Sequence, residues 1–177
     1  FLTQGTLPAV DRQGRMLLAE KHALSLSPDG HGGCLAALQA SGALADMAGR
    51  GVEELFYFQV DNPLAQVFDP VFIGHHALAR AQMSTKVVEK TEPGEKVGVL
   101  ARADGRNCML EYSDLPPELA EDRDEDGRLR YRAGNIAIHM LDLRFVRELL
   151  RSDAGLPVHR AEKKVPHVDE RGERVEP

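Results

Sequence analysis

Phe56-Tyr57-Phe58-Gln59-Val60-Asp61-Asn62-Pro63-Leu64 is the stretch on which the fold of this chain turns. Leu55 through Val60 is a nearly unbroken apolar and aromatic run. It is too short for an ordinary helix and rich in strand formers, which predicts a buried strand. Apolar character on both faces predicts a parallel sheet with helices covering both sides. The run stops at Asp61-Asn62-Pro63, because proline biases the residue before it toward extended geometry and ends the pairing. Asp61 is therefore expected at the carboxyl end of a central strand, where open α/β sheets place their ligands.

A carboxylate there has two readings. One is a turn former or a cap for the following helix. The other is a Mg²⁺ ligand, since that ion takes one or two carboxylates together with phosphate oxygens and water, so a single Asp is enough.

The chain of 177 residues is long enough for a real core, and its 42% hydrophobic content argues against wholesale disorder. A net charge of −6 argues against a nucleic-acid backbone as partner. No apolar run is long enough to span a bilayer, so no membrane partner is expected. Cys34 and Cys108, far apart in sequence, make neither a zinc pattern nor a disulfide framework; they read as packing residues in a reducing, cytoplasmic setting. The chain starts at Phe1 without Met and reads as an excised piece of one domain, incomplete at both ends. Oligomeric state leaves no mark in the sequence.

Upstream of the central strand, Arg15 to Glu20 predicts a short strand after an Asp11–Gly14 turn. Ser25-Leu26-Ser27-Pro28-Asp29-Gly30-His31-Gly32-Gly33 then runs into a helix carrying Leu35 and Leu38. Glycines at 30, 32 and 33 expose backbone amides at a helix start, which suits either an ordinary capping loop or an anion cradle. Gly42 predicts a break in that helix, with Leu44 and Met47 buried in its second piece.

Downstream, Asp69-Pro70 opens a helix running to about Met83. His75 and His76 point about 100° apart on it, so they read as surface residues rather than a metal pair. Lys86–Lys90 and Val97–Arg102 predict strands, and Asp104-Gly105 predicts a tight hairpin returning through Cys108–Tyr112. Glu111 beside Tyr112 reads either as a pair for sugar hydroxyls or as a solvated strand end. The acidic stretch Pro116–Gly127 lacks the glutamate that would close a calcium loop and reads as solvated. In Ala133-Gly134-Asn135-Ile136, Gly134 permits close backbone approach and Asn135 offers a donor and an acceptor. Asp142 is expected to cap a helix burying Phe145, Val146, Leu149 and Leu150. Val165–Val168 is the one strand candidate of the polar tail.

In order, the phrases are Gln4-Gly5, Pro28-Asp29-Gly30-His31-Gly32-Gly33, Val60-Asp61-Asn62, Lys86-Val87-Val88-Glu89-Lys90, Val97-Gly98-Val99, Glu111-Tyr112-Ser113 and Ala133-Gly134-Asn135-Ile136. Together they resemble the eukaryotic-type UDP-sugar pyrophosphorylases, above all the UDP-N-acetylhexosamine pyrophosphorylases and their bacterial relatives. The resemblance covers essentially the whole chain. It implies an α/β, Rossmann-like (GT-A-like) nucleotidyltransferase domain: a mixed sheet with helices on both faces, of which residues 1–177 are a part.

It also implies a uridylyltransferase that joins UTP and a sugar 1-phosphate into a UDP-sugar and pyrophosphate with Mg²⁺. N-acetylglucosamine 1-phosphate is the favoured acceptor; glucose 1-phosphate, or a non-catalytic sugar-nucleotide-binding module, is the alternative. Carried over by position, Gln4 would bond the uracil, Leu26, Pro28 and Gly30 would line the base pocket, and His31 would reach toward the sugar. Asp61 would hold the metal and serve as the catalytic carboxylate, while Gly98, Glu111, Tyr112 and Asn135 would contact the sugar.

Two departures stand out. The family's glycine-rich phosphate loop and its phosphate-contacting lysine segment fall outside this stretch, so the piece alone is expected to be inactive. His31 replaces the asparagine usual in the N-acetylhexosamine enzymes and matches the Gly-His-Gly commoner in the glucose enzymes.

Overall fold

The computed structural model describes residues 1–151 and 160–176. In chain order the elements are β1 (Thr6–Pro8), β2 (Leu18–Glu20), β3 (Ala23–Leu24), β4 (Leu26–Pro28), α1 (Gly33–Ala40), α2 (Ala43–Gly49), β5 (Glu54–Tyr57), α3 (Pro70–Ala79), β6 (Met83–Glu89), β7 (Val99–Ala103), β8 (Arg106–Leu110), α4 (Pro117–Ala120), β9 (Ala133–Asp142), α5 (Leu143–Arg151), β10 (His167–Val168) and β11 (Arg174–Val175). The fold is mixed α/β, as expected. It divides into two compact units, Phe1–Val52 with Val146–Pro177, and Glu53–Phe145. No helix among the described residues is long and apolar enough to cross a membrane.

The second unit is organised on β9. This strand pairs with β5 through Glu54↔Asp142 to Tyr57↔His139, with β6 through Met83↔Leu141 to Glu89↔Ala133, and with β7 at Val99↔Gly134. All three pairings are antiparallel, which corrects the parallel sheet expected around the central strand. A two-sided apolar strand reports that both faces are covered; it carries no information on the direction of its neighbour. The strand is also shorter than predicted. It stops at Tyr57, and Gln59 O accepts from Asn62 N at 3.1 Å, so the chain turns before Asp61.

Ile138, Met140, Leu141 and Leu143 supply the buried centre with Val99. Phe56, Met140 and Ser84 stand in register across β5, β9 and β6 and so share one face of the sheet. Helix α3 lies on that face. Asp69 caps it by accepting from Val71 N at 3.0 Å, and Lys86 Nζ reaches Asp69 Oδ2 at 2.5 Å while standing over the Phe72 ring. The helix ends sooner than expected, at Ala79, because Arg80 turns left-handed and Met83 already belongs to β6.

His76 corrects a second expectation: it is 2% exposed, not a surface residue. The 100° between neighbours that kept the two histidines from sharing a metal also turns one of them inward.

Beyond Lys86 the register of β6 on β9 jumps, leaving Ile136 and Ala137 unpaired as a bulge. Ala137 sits at φ 53° there, and Asn135 Oδ1 accepts its N–H at 3.0 Å. The β7–β8 hairpin turns on Asp104 (φ 49°) and Gly105 (φ 75°), the doubly left-handed turn that an Asp-Gly pair predicts.

In the first unit, β1 pairs with β4, and β11, β10, β2 and β3 form a four-stranded antiparallel sheet. Val10 bridges Met16 across the Asp11 turn. Gly42 at φ 77° separates α1 from α2, and Leu44 is buried behind it, as the sequence predicts. His167–Val168 realises the strand candidate of the tail. At the start of α5, Asp142 Oδ1 accepts from Phe145 N at 2.9 Å, and Val146 is fully buried.

Candidate functional site

The expected nucleotide residues lie together in the first unit. The pairing Thr6↔Pro28 to Pro8↔Leu26 sets β1 beside β4, and Asp29 N donates to Gly5 O at 3.1 Å, extending it by one step. Leu26 and Pro28 alternate onto one exposed side of β4. The chain then turns at Gly30 (φ 84°), whose carbonyl accepts from Gly33 N at 3.1 Å as α1 begins. His31 is exposed in that turn.

Gln4 arrives beside this turn and is held there. Its Nε2 donates to Asp29 Oδ1 at 2.9 Å and to Gly30 O at 3.1 Å, and the Cys34 thiol lies 3.9 Å from its Oε1. Asp29 is itself seated against two glycines. A Cβ on Gly33 would fall 1.7 Å from Asp29 Oδ1, and one on Gly5 would fall 2.5 Å from Oδ2. Both positions must therefore lack a side chain if the carboxylate is to stay. Sequence reading named Gly30 and Gln4 but not Asp29; the signal for it, glycines at 5 and 33 flanking one acid, appears only once the chain is folded.

The expected sugar residues lie together in the second unit. Asn135 N donates to Gly98 O at 2.8 Å, and Gly98 backs onto Glu111, whose Oε2 would be 3.3 Å from a Cβ there. Gly134 is equally confined, with Val88 O 3.1 Å from the place of its Cβ. Gly98, Glu111 and Asn135 thus share one corner where β7, β8 and β9 meet. Tyr112 follows Glu111 just past β8 and is 49% exposed.

The loop leading to Gly98 is closed by a residue the sequence did not single out. Glu95 Oε1 accepts from Thr91 N (2.8 Å), Thr91 Oγ1 (3.2 Å) and Glu92 N (2.8 Å), and Val97 N returns to Glu95 O at 2.9 Å. The backbone bonds from Glu92 and Thr91 hold its carboxyl below the ordinary range. Lys90, only 3% exposed, lies beside it at the end of β6 and favours the same ionised form.

Asp61 is exposed in the turn after β5, and among the described residues its carboxylate has no hydrogen bond or ion pair. The turn is shaped by Asn62, whose Oδ1 accepts from Leu64 N at 3.2 Å and whose carbonyl accepts from Ala65 N. Its far end is folded back by an aromatic cluster in which Phe56 meets Phe58, Phe68 and Phe72 at centroid distances of 6.0, 5.7 and 6.2 Å. Among the described residues no group of three acidic, His or Cys side chains could hold a metal by itself. A lone, unpaired, solvated carboxylate nonetheless fits Mg²⁺, which keeps most of its waters and takes phosphate oxygens. In the acidic loop, Asp124 accepts from Asp126 N and Arg128 N and pairs with Arg132 at 2.7 Å, so its charge is spent on its own turn.

Residues 1–176 match the family model described as UTP–glucose-1-phosphate uridylyltransferase. The chain is 44% identical over 175 residues to a human protein named UDP-N-acetylhexosamine pyrophosphorylase-like protein 1, covering 98% of this chain and 34% of that protein. It is 40% identical over 172 residues to the UDP-N-acetylglucosamine pyrophosphorylase of Saccharomyces cerevisiae, covering 96% of this chain and 36% of the relative. Among solved structures, the uridine diphosphate N-acetylglucosamine pyrophosphorylase of Trypanosoma brucei superposes with a TM-score of 0.84 at 28% identity, over 99% of this chain and 35% of that one. The chain thus spans about a third of the length of the curated relatives it matches.

Proposed function

Because this chain belongs to the UTP–glucose-1-phosphate uridylyltransferase family, we propose that it is the central part of a single catalytic domain that joins UTP to a sugar 1-phosphate, releasing pyrophosphate and a UDP-sugar. N-acetylglucosamine 1-phosphate is the proposed acceptor, in keeping with the names of relatives around 40% identical; glucose 1-phosphate is the alternative raised by His31. In this reading Gln4 meets the uracil, Leu26, Pro28 and Gly30 flank the base, and His31 faces the sugar side. Gly98, Glu111, Tyr112 and Asn135 receive the sugar. The observation that carries the reading is the corner formed by Gly98, Glu111 and Asn135, far apart in sequence and joined by the Asn135–Gly98 bond.

The chemistry asks for little from side chains as acids or bases. A sugar phosphate oxygen is already a nucleophile, so the protein's part is to hold two anions in line and offset their charge. Asp61 would hold Mg²⁺, which when bound neutralises charge on the phosphates. Glu111 can accept from sugar hydroxyls, and Asn135, whose Oδ1 is committed to Ala137 N, offers its amide N–H groups. The free thiols of Cys34 and Cys108 are in keeping with a cytoplasmic setting.

The test is to assay the full-length protein with UTP, Mg²⁺ and a panel of sugar 1-phosphates, following pyrophosphate. Turnover with one acceptor at least tenfold above the rest is expected, about the discrimination available from a few sugar contacts. Selective UDP-sugar binding without turnover would identify a non-catalytic module instead, and neither binding nor turnover would overturn the assignment.

A further inference from the structure

We propose that Asp29 is the residue that makes this site choose uracil over cytosine, by fixing which way the Gln4 amide faces. The proposal rests on Gln4 meeting the base, as above, and adds the source of base selectivity.

An amide side chain has a donor end and an acceptor end of nearly the same shape. Uracil presents an N3–H donor beside the O4 acceptor. Cytosine presents the reverse, an N3 acceptor beside the N4 amino donor. A glutamine free to turn over by 180° satisfies either edge equally well and selects neither. One whose two N–H groups are spent elsewhere presents only its oxygen, which accepts from uracil N3–H but meets the N3 lone pair of cytosine acceptor against acceptor.

Gln4 is held in this way. Both hydrogens of its Nε2 go to Asp29 Oδ1 (2.9 Å) and Gly30 O (3.1 Å), groups that can only accept, which leaves Oε1 as the end that meets the base. Inverting the amide would press Oε1 against a carboxylate and a carbonyl. The Cys34 thiol, a donor, lies on the Oε1 side and favours the same orientation. Gly30 O alone would be a weak anchor, since it also receives Gly33 N; the charged oxygen of Asp29 is the stronger one. Asp29 is in turn held by the two bare glycine positions that enclose its carboxylate. The fold thus builds an acceptor behind Gln4 and keeps positions 5 and 33 bare, where any Cβ would displace it.

Two variants of the full-length protein test this, Asp29→Asn and Gly33→Ala. Asn at 29 offers a donor or an acceptor and so lets Gln4 turn over. Ala at 33 drives the carboxylate off its seat without altering it. UTP and CTP are compared by calorimetric affinity and, separately, by kcat/KM. In each variant the UTP-to-CTP ratio should fall by about tenfold or more, chiefly through better acceptance of CTP, with a single cooperative melting transition retained. An unchanged ratio in both folded variants overturns the proposal, as does an unmodified protein that binds the two nucleotides equally. Selective binding of UTP without turnover, lost in both variants, supports the role of Asp29 while removing uridylyl transfer.

Discussion

The His76 imidazole is tied to the Glu54 carboxylate across 2.9 Å, joining α3 to the first residue of β5. A carboxylate only accepts, so Nε2 carries the proton and donates. Nδ1 lies 2.7 Å from Ser84 Oγ on the neighbouring β6, a hydroxyl able to donate or accept. One buried ring therefore binds a helix to two strands, with both nitrogens used. His76→Leu should cost about 1–3 kcal/mol in denaturant unfolding, since it leaves Glu54 and Ser84 unpaired. Glu54→Gln should cost under about 1 kcal/mol, because an amide oxygen still accepts from Nε2.

The seat of Asp29 predicts a coupled pair. Gly33→Ala should destabilise by about 1–2 kcal/mol, because the carboxylate must leave and Gln4 loses its partner. In an Asp29→Ala background the same change should cost much less, the helix start then gaining a better helix former. A thermodynamic cycle on the four proteins checks this, and simple additivity would contradict the geometry.

Acid should loosen the helix caps. Lys86, hydrogen-bonded to Asp69, holds that carboxyl below the ordinary range, and the Phe145 backbone bond does the same for Asp142. In the unfolded chain both return to ordinary values. Their contributions are therefore present above the ordinary carboxylate pKa and lost as pH falls through the lowered ones, below about pH 4. Melting temperature should drop on that limb, and Asp69→Asn with Asp142→Asn should flatten it.

Glu95 should matter to one substrate. It closes the loop that delivers Gly98, and it touches no other expected site residue. In the full-length protein Glu95→Ala should raise the KM for the sugar phosphate about tenfold with little change for UTP, and Glu95→Gln should recover most of the loss, since its amide oxygen still accepts. Steady-state kinetics with each substrate varied in turn decides this.

Asp61 makes the reverse case, a residue with no structural duty. Asp61→Ala in the full-length protein should reduce UTP turnover by at least ~100-fold. Its unfolding free energy should move by less than about 0.5 kcal/mol, as expected for an exposed, unpaired side chain. Near-normal turnover would remove Asp61 from the mechanism.

What could be read from the chain beforehand was whatever is decided locally. Asp104-Gly105 dictates its own turn, Gly42 its own break, and Asp69-Pro70 and Asp142 their own helix starts. What could not be read depends on residues distant in sequence. The direction of the strand beside β5 is set by residues 139–142, the inward turn of His76 by Glu54 and Ser84, and the position of Asp29 by glycines on both sides of it. The sugar corner falls between the two cases. Gly98, Glu111 and Asn135 were named from family phrases, but that they meet, and that Asn135 spends its oxygen on the Ala137 bulge, follows only from how β7, β8 and β9 are joined.

The dependence of β5, β6 and β7 on a single later strand also bears on how the protein is made. Until residues 133–142 have left the ribosome, those segments have no common partner, and their apolar edges wait unpaired through much of synthesis. A nascent chain halted before Ala133 is thus the form most exposed to chaperones and to aggregation, and release of the next ten residues, Ala133–Asp142, allows the whole sheet to close at once.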